Sequence, residues 1–259
     1  MRNKIASLRS GPAFFDINTP HISDRLVYAN ELAFVFPAQS PIHPGHLLVC
    51  PRRPIKTINE ISVEEFSAVL NIIKKMLPVL QKVFQAERFD FAWNEGRIAG
   101  QSVAHLHFHI IPRHEGDDGV SNYQTDDVPG PRENIILPEN KFVYAVLATN
   151  PIVPGHILLH PRKRVRSITE IPENVQAGLQ QLIIATKKIF SAADGFNYAW
   201  HETSGRFFEL ALLPRKKGDQ DSLGYDPRNY LYRIKNVNDR QKEDTAGLKE
   251  IARLIREKM

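Results

Sequence analysis

Three histidines alternate with apolar residues in the stretch Gly100-Gln-Ser-Val-Ala-His105-Leu-His107-Phe-His109-Ile-Ile-Pro112-Arg113. Alternation of this kind is the period of a β-strand, and it places His105, His107 and His109 on one face of the predicted strand. Histidines two positions apart on a strand lie roughly 6.6 Å from one another, so all three can line a single site. Because imidazoles are poor core material and titrate near neutral pH, the pattern predicts a catalytic strand.

Length, composition and charge bound the class of protein. The chain has 259 residues, of which 42% are hydrophobic and 24% are charged, which suits one large domain or two small ones with real cores. A formal net charge of +5 and a sequence pI of about 9.3 favour anionic partners. The excess of 34 basic over 29 acidic residues is modest, so we expect a small phosphate-bearing molecule rather than nucleic acid.

The sequence contains a single cysteine, Cys50, which excludes an intrachain disulfide and a Cys-x-x-Cys zinc ribbon. It ends the apolar run Leu47-Leu-Val-Cys50, which indicates a buried small hydrophobe, and one cysteine fits a reducing compartment. The N-terminus carries no apolar run typical of a signal peptide, and no segment approaches the roughly 18 apolar residues of a membrane span. We therefore expect a cytoplasmic protein with no membrane partner.

Local patterns predict the elements that precede the histidine strand. Residues 1–30 look like an irregular lead-in. Four elements are predicted after it: a strand at 31–37, a strand at His46–Cys50, a helix beginning at Ser62 and a strand at Phe89–Trp93. Ser62-Val-Glu-Glu65 has the capping-box pattern of a helix N-terminus, and Pro78 is expected to kink or interrupt that helix.

The second half of the chain repeats the first. Between residues 41–61 and 151–171, 11 of 21 positions are identical, and Phe89-Asp-Phe-Ala-Trp93 matches Phe196-Asn-Tyr-Ala-Trp200. The second copy has Phe207, Glu209 and Ala211 where the first has its histidines. The sequence therefore predicts one complete site and one degenerate copy. A last helix is predicted from an apolar stripe at Leu248, Ile251, Ala252 and Ile255.

The first half resembles the histidine triad (HIT) family, whose signature His-φ-His-φ-His-φ-φ, with φ apolar, stands here from His105 to Ile111. Pro44-Gly-His46, Asn94-Glu-Gly96 and Gly100-Gln-Ser102 also stand at the family's spacing. The resemblance covers roughly residues 25–116 and is closest to the fragile-histidine-triad branch of dinucleoside-polyphosphate hydrolases. The tandem layout is more similar to the galactose-1-phosphate uridylyltransferase branch, whose motif ends in Gln where this chain has His109.

The resemblance implies an α+β fold of two tandem HIT-like domains. Each would contain a mostly antiparallel five-stranded sheet with helices, and the two would pair as an intrachain pseudo-dimer, so we expect a monomer. We divide the chain into a catalytic HIT domain at 1–116, a linker at 117–139, and a degenerate HIT-like domain with a C-terminal helix at 140–259.

Nucleotidyl transfer is the chemistry that the resemblance implies. His107 would attack the α-phosphorus and form a nucleotidyl-histidine, which water would cleave. A backbone carbonyl on a neighbouring strand would fix the tautomer that attack requires. His105 and His109 would flank the phosphate and stabilise charge on its oxygens.

Five further residues are assigned to substrate binding by the same resemblance: Gln101, Ser102, Asn94, His46 and Phe36. The first three would contact the phosphate or the leaving group, the fourth would support the triad, and the fifth would pack against the nucleobase. For His46 a structural role stays open, and for Phe36 ordinary core packing stays open.

Substrate and acceptor stay open at this point. Ala38 occupies the position where the family carries Asp or Asn for the ribose hydroxyls, and Gln39 could take over that task. Water as acceptor gives a hydrolase, whereas phosphate or a sugar phosphate gives a nucleotidyltransferase or a phosphorylase of the diadenosine polyphosphate type. A zinc site with Glu95 or His46 as third ligand and a nucleotide-binding regulator without turnover are alternatives from other classes. The favoured interpretation needs no protein metal site, and a divalent cation could enter with the substrate phosphates.

Overall fold

A computed structural model describes residues 15–115, 117, 135–136, 139–148, 151–202, 206–219 and 245–259. The helices in these ranges are α1 (Pro20–Ser23), α2 (Val63–Phe84), α3 (Glu173–Ile189) and α4 (Thr245–Arg256), with a 3-10 turn at Ile168–Glu170. The strands of the first half are β1 (Tyr28–Ala29), β2 (Ala33–Pro37), β3 (Leu47–Pro51), β4 (Arg88–Glu95) and β5 (Phe108–Arg113). Those of the second half are β6 (Ile135–Ile136), β7 (Val143–Leu147), β8 (Ile157–Pro161), β9 (Gly195–Glu202) and β10 (Leu210–Arg215).

Ten strands of the described chain form one antiparallel sheet in the order β1-β2-β3-β5-β4-β9-β10-β8-β7-β6. Each half contributes five strands, and β4 pairs with β9 at the centre. The predicted α+β fold, with a five-stranded antiparallel sheet in each half and the two sheets paired within one chain, is confirmed. Equivalent contacts recur in both halves: Leu106 N donates to Ile55 O over 2.7 Å, and Phe208 N donates to Val165 O over 2.8 Å.

The centre of the sheet has approximate two-fold symmetry. Phe91 stands opposite Trp200, and Trp93 stands opposite Tyr198. Both ring pairs stack, with centroids 4.4 and 4.2 Å apart and planes inclined by 6°. Stacked aromatic pairs stabilise a fold by about 0.5–1.5 kcal/mol beyond the area they bury, so these pairs fix the register between the halves.

Helix α2 begins at the predicted capping box, where Glu65 N donates to Ser62 Oγ over 3.2 Å and Ser62 N donates to Glu65 Oε2 over 2.8 Å. The predicted interruption at Pro78 is wrong, because the helix runs on to Phe84. Leu77 and Val79 on either side are buried, and that packing holds the helix together despite the missing backbone donor.

The main core lies on one face of the sheet, where residues of α2 and α3 pack against strand residues such as Val35, Val49 and Phe91. The opposite face carries Leu48 and His109, because side chains alternate along a strand. This second face is free of the two long helices, so it can hold a site.

Three parts of the chain differ from the sequence-based expectations. The predicted lead-in contains α1 and β1, although residues 1–14 lie outside the described ranges. Strand β6 falls within the predicted linker at 117–139, most of which also lies outside them. Helix α4 forms as predicted but packs on α2 and β2 of the first half, where Lys249 pairs with Asp24 at 2.7 Å. In the described ranges, every helix is too short or too polar to cross a membrane.

Candidate active site

A cavity of about 180 Å³ opens on the face of the sheet that α2 and α3 leave uncovered. Its lining comes from the N-terminal segment, the β2–β3 turn and the loop before β5: Phe15, His21, Arg25, Ala38, Gln39, Ser40, His46, Leu48, Ser102, Val103, His107 and His109. Four residues predicted for the site are among them: His107, His109, His46 and Ser102. The other four do not line the cavity: His105, Gln101, Asn94 and Phe36.

His105 departs from the predicted strand. Strand β5 begins at Phe108, so His105 and His107 precede it, and the expectation of three histidines on one strand face is wrong. Outside the strand ladder the His105 ring is free to turn toward β3, where its Nε2 lies 2.8 Å from the Pro51 carbonyl. Its Nδ1 accepts a hydrogen bond of 3.1 Å from the backbone N–H of Phe15. The ring is buried away from the cavity and anchors the N-terminal segment.

His107 has the geometry of a nucleophile. Its Nδ1 lies 2.7 Å from the His105 carbonyl oxygen, and a carbonyl only accepts hydrogen bonds. The proton therefore sits on Nδ1, and Nε2 keeps its lone pair for a substrate. Burial lowers the pKa of His107 to about 4, so the ring is neutral at pH 7. The carbonyl belongs to the residue two positions earlier, not to a neighbouring strand as expected.

A second hydrogen-bond chain fixes the tautomer of His109. Ile42 N donates to His46 Nδ1 over 3.2 Å, so the proton of a neutral His46 sits on Nε2. That Nε2 lies 2.9 Å from His109 Nδ1, which must accept. His109 therefore carries its own proton on Nε2, as assigned from this network. The His107 and His109 rings lie 5.1 Å apart, so a nucleophile and a donor stand side by side.

Gln101 and Asn94 shape the site from outside the cavity. The Gln101 side chain accepts from Gly96 N over 2.9 Å and donates to Lys56 O over 2.8 Å, so it closes its own loop. Asn94 Oδ1 accepts from Asn197 Nδ2 over 2.7 Å, and both residues are buried at the centre of the sheet. Neither amide is placed to reach a phosphate in this conformation.

Phe36 is fully buried, which favours core packing over a contact with the nucleobase. Phe34 stacks on it with ring centroids 5.6 Å apart, and Phe15 meets it edge-on at 5.1 Å. The Arg25 guanidinium lies 4.9 Å from the ring centroid. Phe15 also packs edge-on against His107 at 5.6 Å, so this N-terminal residue forms part of the cavity wall.

Arg25 is a functional candidate that the sequence analysis missed. It is 3% exposed and donates to the carbonyls of His21 and Pro37, each over 2.8 Å, and to His21 Nε2 over 2.9 Å. In the described ranges no carboxylate pairs with it, and burial lowers its pKa to about 10. A buried cation at the cavity favours an anionic ligand. A signal in the sequence was the spacing of His21 and Arg25, four residues apart around a helical turn.

The degenerate half keeps the scaffold of this site without its chemistry. His156 repeats His46: its Nδ1 accepts from Ile152 N over 3.3 Å. Ala211 stands where His109 would be, and in the described part of the chain His156 Nε2 has no hydrogen-bond partner. Burial lowers the pKa of His156 to about 4, so the ring is neutral.

Two segments of the chain, residues 19–116 and 131–207, match the HIT domain. A bis(5'-adenosyl)-triphosphatase from Dictyostelium discoideum is 35% identical over 92 residues, 36% of this chain and 62% of that protein. An asymmetrical bis(5'-nucleosyl)-tetraphosphatase from Schizosaccharomyces pombe is 33% identical over 96 residues, 37% of this chain and 53% of that protein. The matches thus span less than two thirds of either relative.

Solved structures share the fold over both halves. A uridylyltransferase superposes with a TM-score of 0.63 at 14% identity, covering 100% of this chain and 93% of that one. An ADP-glucose phosphorylase from Arabidopsis thaliana with bound ADP-glucose gives a TM-score of 0.64 at 14% identity, covering 94% and 90%. At this identity the likeness shows the fold alone. Because the HIT domain matches account for more than half of the residues, the chain belongs to the HIT family.

Proposed function

We propose that the protein is a hydrolase of dinucleoside polyphosphates or related nucleotide phosphoanhydrides and phosphoramidates, acting through a nucleotidyl-histidine on His107. The observation that carries the proposal is the His107 ring itself. It is neutral, its Nδ1 proton is held by a carbonyl, and it borders the cavity, so its Nε2 can serve as the attacking atom.

In the proposed reaction, the Nε2 lone pair of His107 attacks the α-phosphorus. The new phosphorus–nitrogen bond forms as the bond from phosphorus to the bridging oxygen breaks, and the leaving nucleotide takes that electron pair. Water then attacks the same phosphorus, the phosphorus–nitrogen bond breaks, and a nucleoside monophosphate is released. His109 Nε2–H and the Ser102 hydroxyl would stabilise charge on the phosphate oxygens, while His105 would hold His107 in place rather than touch the phosphate.

Relatives support a small nucleotide as the substrate. The Dictyostelium and Schizosaccharomyces proteins are named for cleavage of dinucleoside triphosphates and tetraphosphates. They are 35% and 33% identical to this chain over the matched segments. The buried Arg25 cation agrees with an anionic ligand. Ala38 borders the cavity and offers no hydrogen bond to a ribose hydroxyl, whereas Gln39 beside it could supply one.

A nucleotidyltransferase or phosphorylase is the second candidate, in which phosphate or a sugar phosphate replaces water. The observation in its favour is the fold over both halves, which a uridylyltransferase and an ADP-glucose phosphorylase share across nearly the whole chain. His109 in place of the Gln of the uridylyltransferase branch favours water as the acceptor.

We further propose that the enzyme works as a monomer, without a protein-bound metal. In the described ranges no group of three His, Cys, Asp or Glu side chains is arranged to hold a metal ion. A divalent cation would enter with the substrate phosphates.

The proposal is tested with diadenosine triphosphate labelled at its α-phosphates, with and without added inorganic phosphate. Wild-type protein should release AMP and ADP in equal amounts, and samples rich in substrate that are quenched with alkaline detergent should contain labelled protein whose label is lost on later treatment with acid. His107→Ala should lose both turnover and label, whereas His156→Ala, its control in the degenerate half, should keep both. Equal turnover by His107→Ala would disprove the assignment, and ADP as sole product with added phosphate would establish the phosphorylase.

A further inference from the structure

The end of β4 and the loop that follows it (residues 95–103), which bring Ser102 to the cavity, are held by side chains of the degenerate half. Asn197 on β9 donates from Nδ2 to Asn94 Oδ1 over 2.7 Å and to Ala99 O over 2.8 Å. Arg215 Nη1 donates to Asn197 Oδ1 over 3.3 Å and so orients the amide. Asn197 and Arg215 are fully buried, so these bonds form without competition from bulk water.

A buried ion pair joins the same loop to helix α3. Lys187 Nζ pairs with Glu95 Oε2, and the two side chains are 8% and 3% exposed. The other carboxylate oxygen, Oε1, accepts from Ile58 N over 3.0 Å. Because breaking one partner of a buried pair leaves an uncompensated charge, this contact strongly favours one position of the loop start.

The backbones approach closely at the same place, and glycines allow it. Gly96 has φ +83°, and a Cβ there would lie 2.7 Å from Asp194 O. A Cβ on Gly195 would lie 2.6 Å from Glu95 O and 3.2 Å from Ala99 N. Between Gly96 and the cavity, Gln101 clamps the loop through its bonds to Gly96 and Lys56. The chain of contacts from Asn197 to Ser102 is therefore short and rigid.

The pseudo-symmetric contacts, from β4 of the catalytic half to β9 of the degenerate half, are different. Asp90 is the counterpart of Asn197, and its Oδ1 accepts from His201 Nδ1 over 2.9 Å. Its Oδ2 forms a buried ion pair with Arg113 at 2.6 Å, where Asn197 instead accepts from Arg215. Glu202, the counterpart of Glu95, accepts from Ile168 N over 2.6 Å and from Ser167 Oγ over 3.0 Å. In the described ranges no lysine or arginine pairs with Glu202, and burial raises its pKa. A buried lysine thus pairs with the carboxylate at the end of β4, whereas in the described ranges its counterpart at the end of β9 has no such partner.

We propose that Asn197 and Lys187 are positioning residues for the active-site loop, so that the single site is built by both halves although its histidines come from one. The inference rests on the proposed function only for its kinetic consequence. A site whose loop is misplaced by about 1 Å loses much of its rate, so the degenerate half has a task that its missing histidines do not reveal.

The test is amide hydrogen exchange of the full-length protein without substrate, read by mass spectrometry for peptides within 96–103. Asn197→Ala and Lys187→Met should exchange there at least about tenfold faster than wild type. Lys187→Arg keeps the cation and should retain protection. His201→Ala removes the pseudo-symmetric contact to Asp90 but keeps the buried Arg113–Asp90 pair, and it should leave exchange in 96–103 unchanged. If Asn197→Ala does not fold, Lys187→Met carries the test alone.

Kinetics provide the second readout, in a form that separates the two proposals. Asn197→Ala and Lys187→Met should lower kcat/KM about tenfold or more, while His201→Ala keeps the wild-type value. A wild type that turns over no nucleotide would remove the proposed function and leave the exchange result standing. Unchanged exchange of 96–103 in both variants, or equal acceleration by His201→Ala, would overturn the positioning role.

Discussion

His46 donates a hydrogen bond of 2.9 Å to His109, and this bond links the β2–β3 turn to strand β5 inside the cavity wall. Both rings are buried, and the donor on His46 is itself fixed by the backbone N–H of Ile42. Because His46 donates to Nδ1 of His109, the proton of His109 occupies Nε2. In the degenerate half the same arrangement ends at His156, because position 211 is an alanine.

Removal of His46 should therefore impair catalysis through His109. In His46→Ala the proton of His109 is free to occupy Nδ1, so kcat should fall about 100-fold, the lower end of the range for a lost acid–base group. His156→Ala is the matched control and should leave kcat unchanged. In a His109→Ala background, adding His46→Ala should cost little more, because the two residues act as one unit. Additive losses in that cycle would contradict the coupling.

The rate should not depend on deprotonation of the nucleophile between pH 5 and 8. Burial holds the pKa of His107 at about 4, below the usual 6.5, so the ring is already neutral throughout this range. For the folded protein, kcat/KM should fall through protonation of His107 only as the pH approaches about 4. A fall of kcat/KM near pH 6.5 that disappears when another histidine is replaced would belong to that histidine. A fall near pH 6.5 that no such replacement removes would be due to His107 and would refute the burial argument.

Acid should weaken the fold before it charges the nucleophile. His107, His156 and His160 have pKa values of about 4 in the folded protein, because of burial, and about 6.5 when unfolded. Between these values the unfolded chain binds more protons, so the free energy of unfolding falls as the pH drops from 6.5 toward 4. At pH 5 each histidine should cost on the order of 2 kcal/mol relative to pH 7.

Urea denaturation at pH 7 and pH 5 measures this loss. In His156→Asn, the amide oxygen can replace Nδ1 as the acceptor for Ile152 N while the titrating group is removed, so the variant should lose less stability in acid than wild type. An identical pH dependence in this variant would show that His156 contributes nothing to it.

Arg25 should control affinity for anions. Arg25→Met removes the buried charge at the cavity, and binding of AMP measured by calorimetry should weaken about tenfold, the scale of one hydrogen bond to a charged group. Arg25→Lys keeps the charge but loses the planar guanidinium, so its affinity for AMP should lie between those of the wild type and Arg25→Met. Equal affinity in all three proteins would mean that the guanidinium only caps the carbonyls of His21 and Pro37.

Repetition and local periodicity predicted most of the fold, because both depend on residues near one another in sequence. The capping box of α2, the strands β2, β3 and β4, the repeats of β3 and β4 in the second half and the apolar stripe of α4 follow from such patterns, whereas β1 and β6 do not. The packing of α4 on the first half does not, since its apolar stripe would fit either half. The alternating pattern of the triad was misleading because alternation cannot show where pairing with the sheet begins. In the structure the strand begins only at Phe108.

The cavity was only partly predictable. His107, His109, His46 and Ser102 carry recognisable spacing, whereas Phe15 and Arg25 come from a segment without a motif and reach the cavity through the tertiary fold. The family resemblance assigned Asn94 to the phosphate, and its partner Asn197 could not be predicted because that contact depends on the pairing of β4 with β9. That pairing joins residues more than 100 positions apart, beyond the reach of any local pattern.

The continuous sheet across β4 and β9 also bears on how such a site can evolve. In a dimer of identical chains, every substitution is made twice, so a change that harms one site harms both. Here the two copies lie on one polypeptide and mutate separately. Substitutions such as alanine at position 211 or lysine at position 187 can therefore be selected in one half without altering the triad in the other.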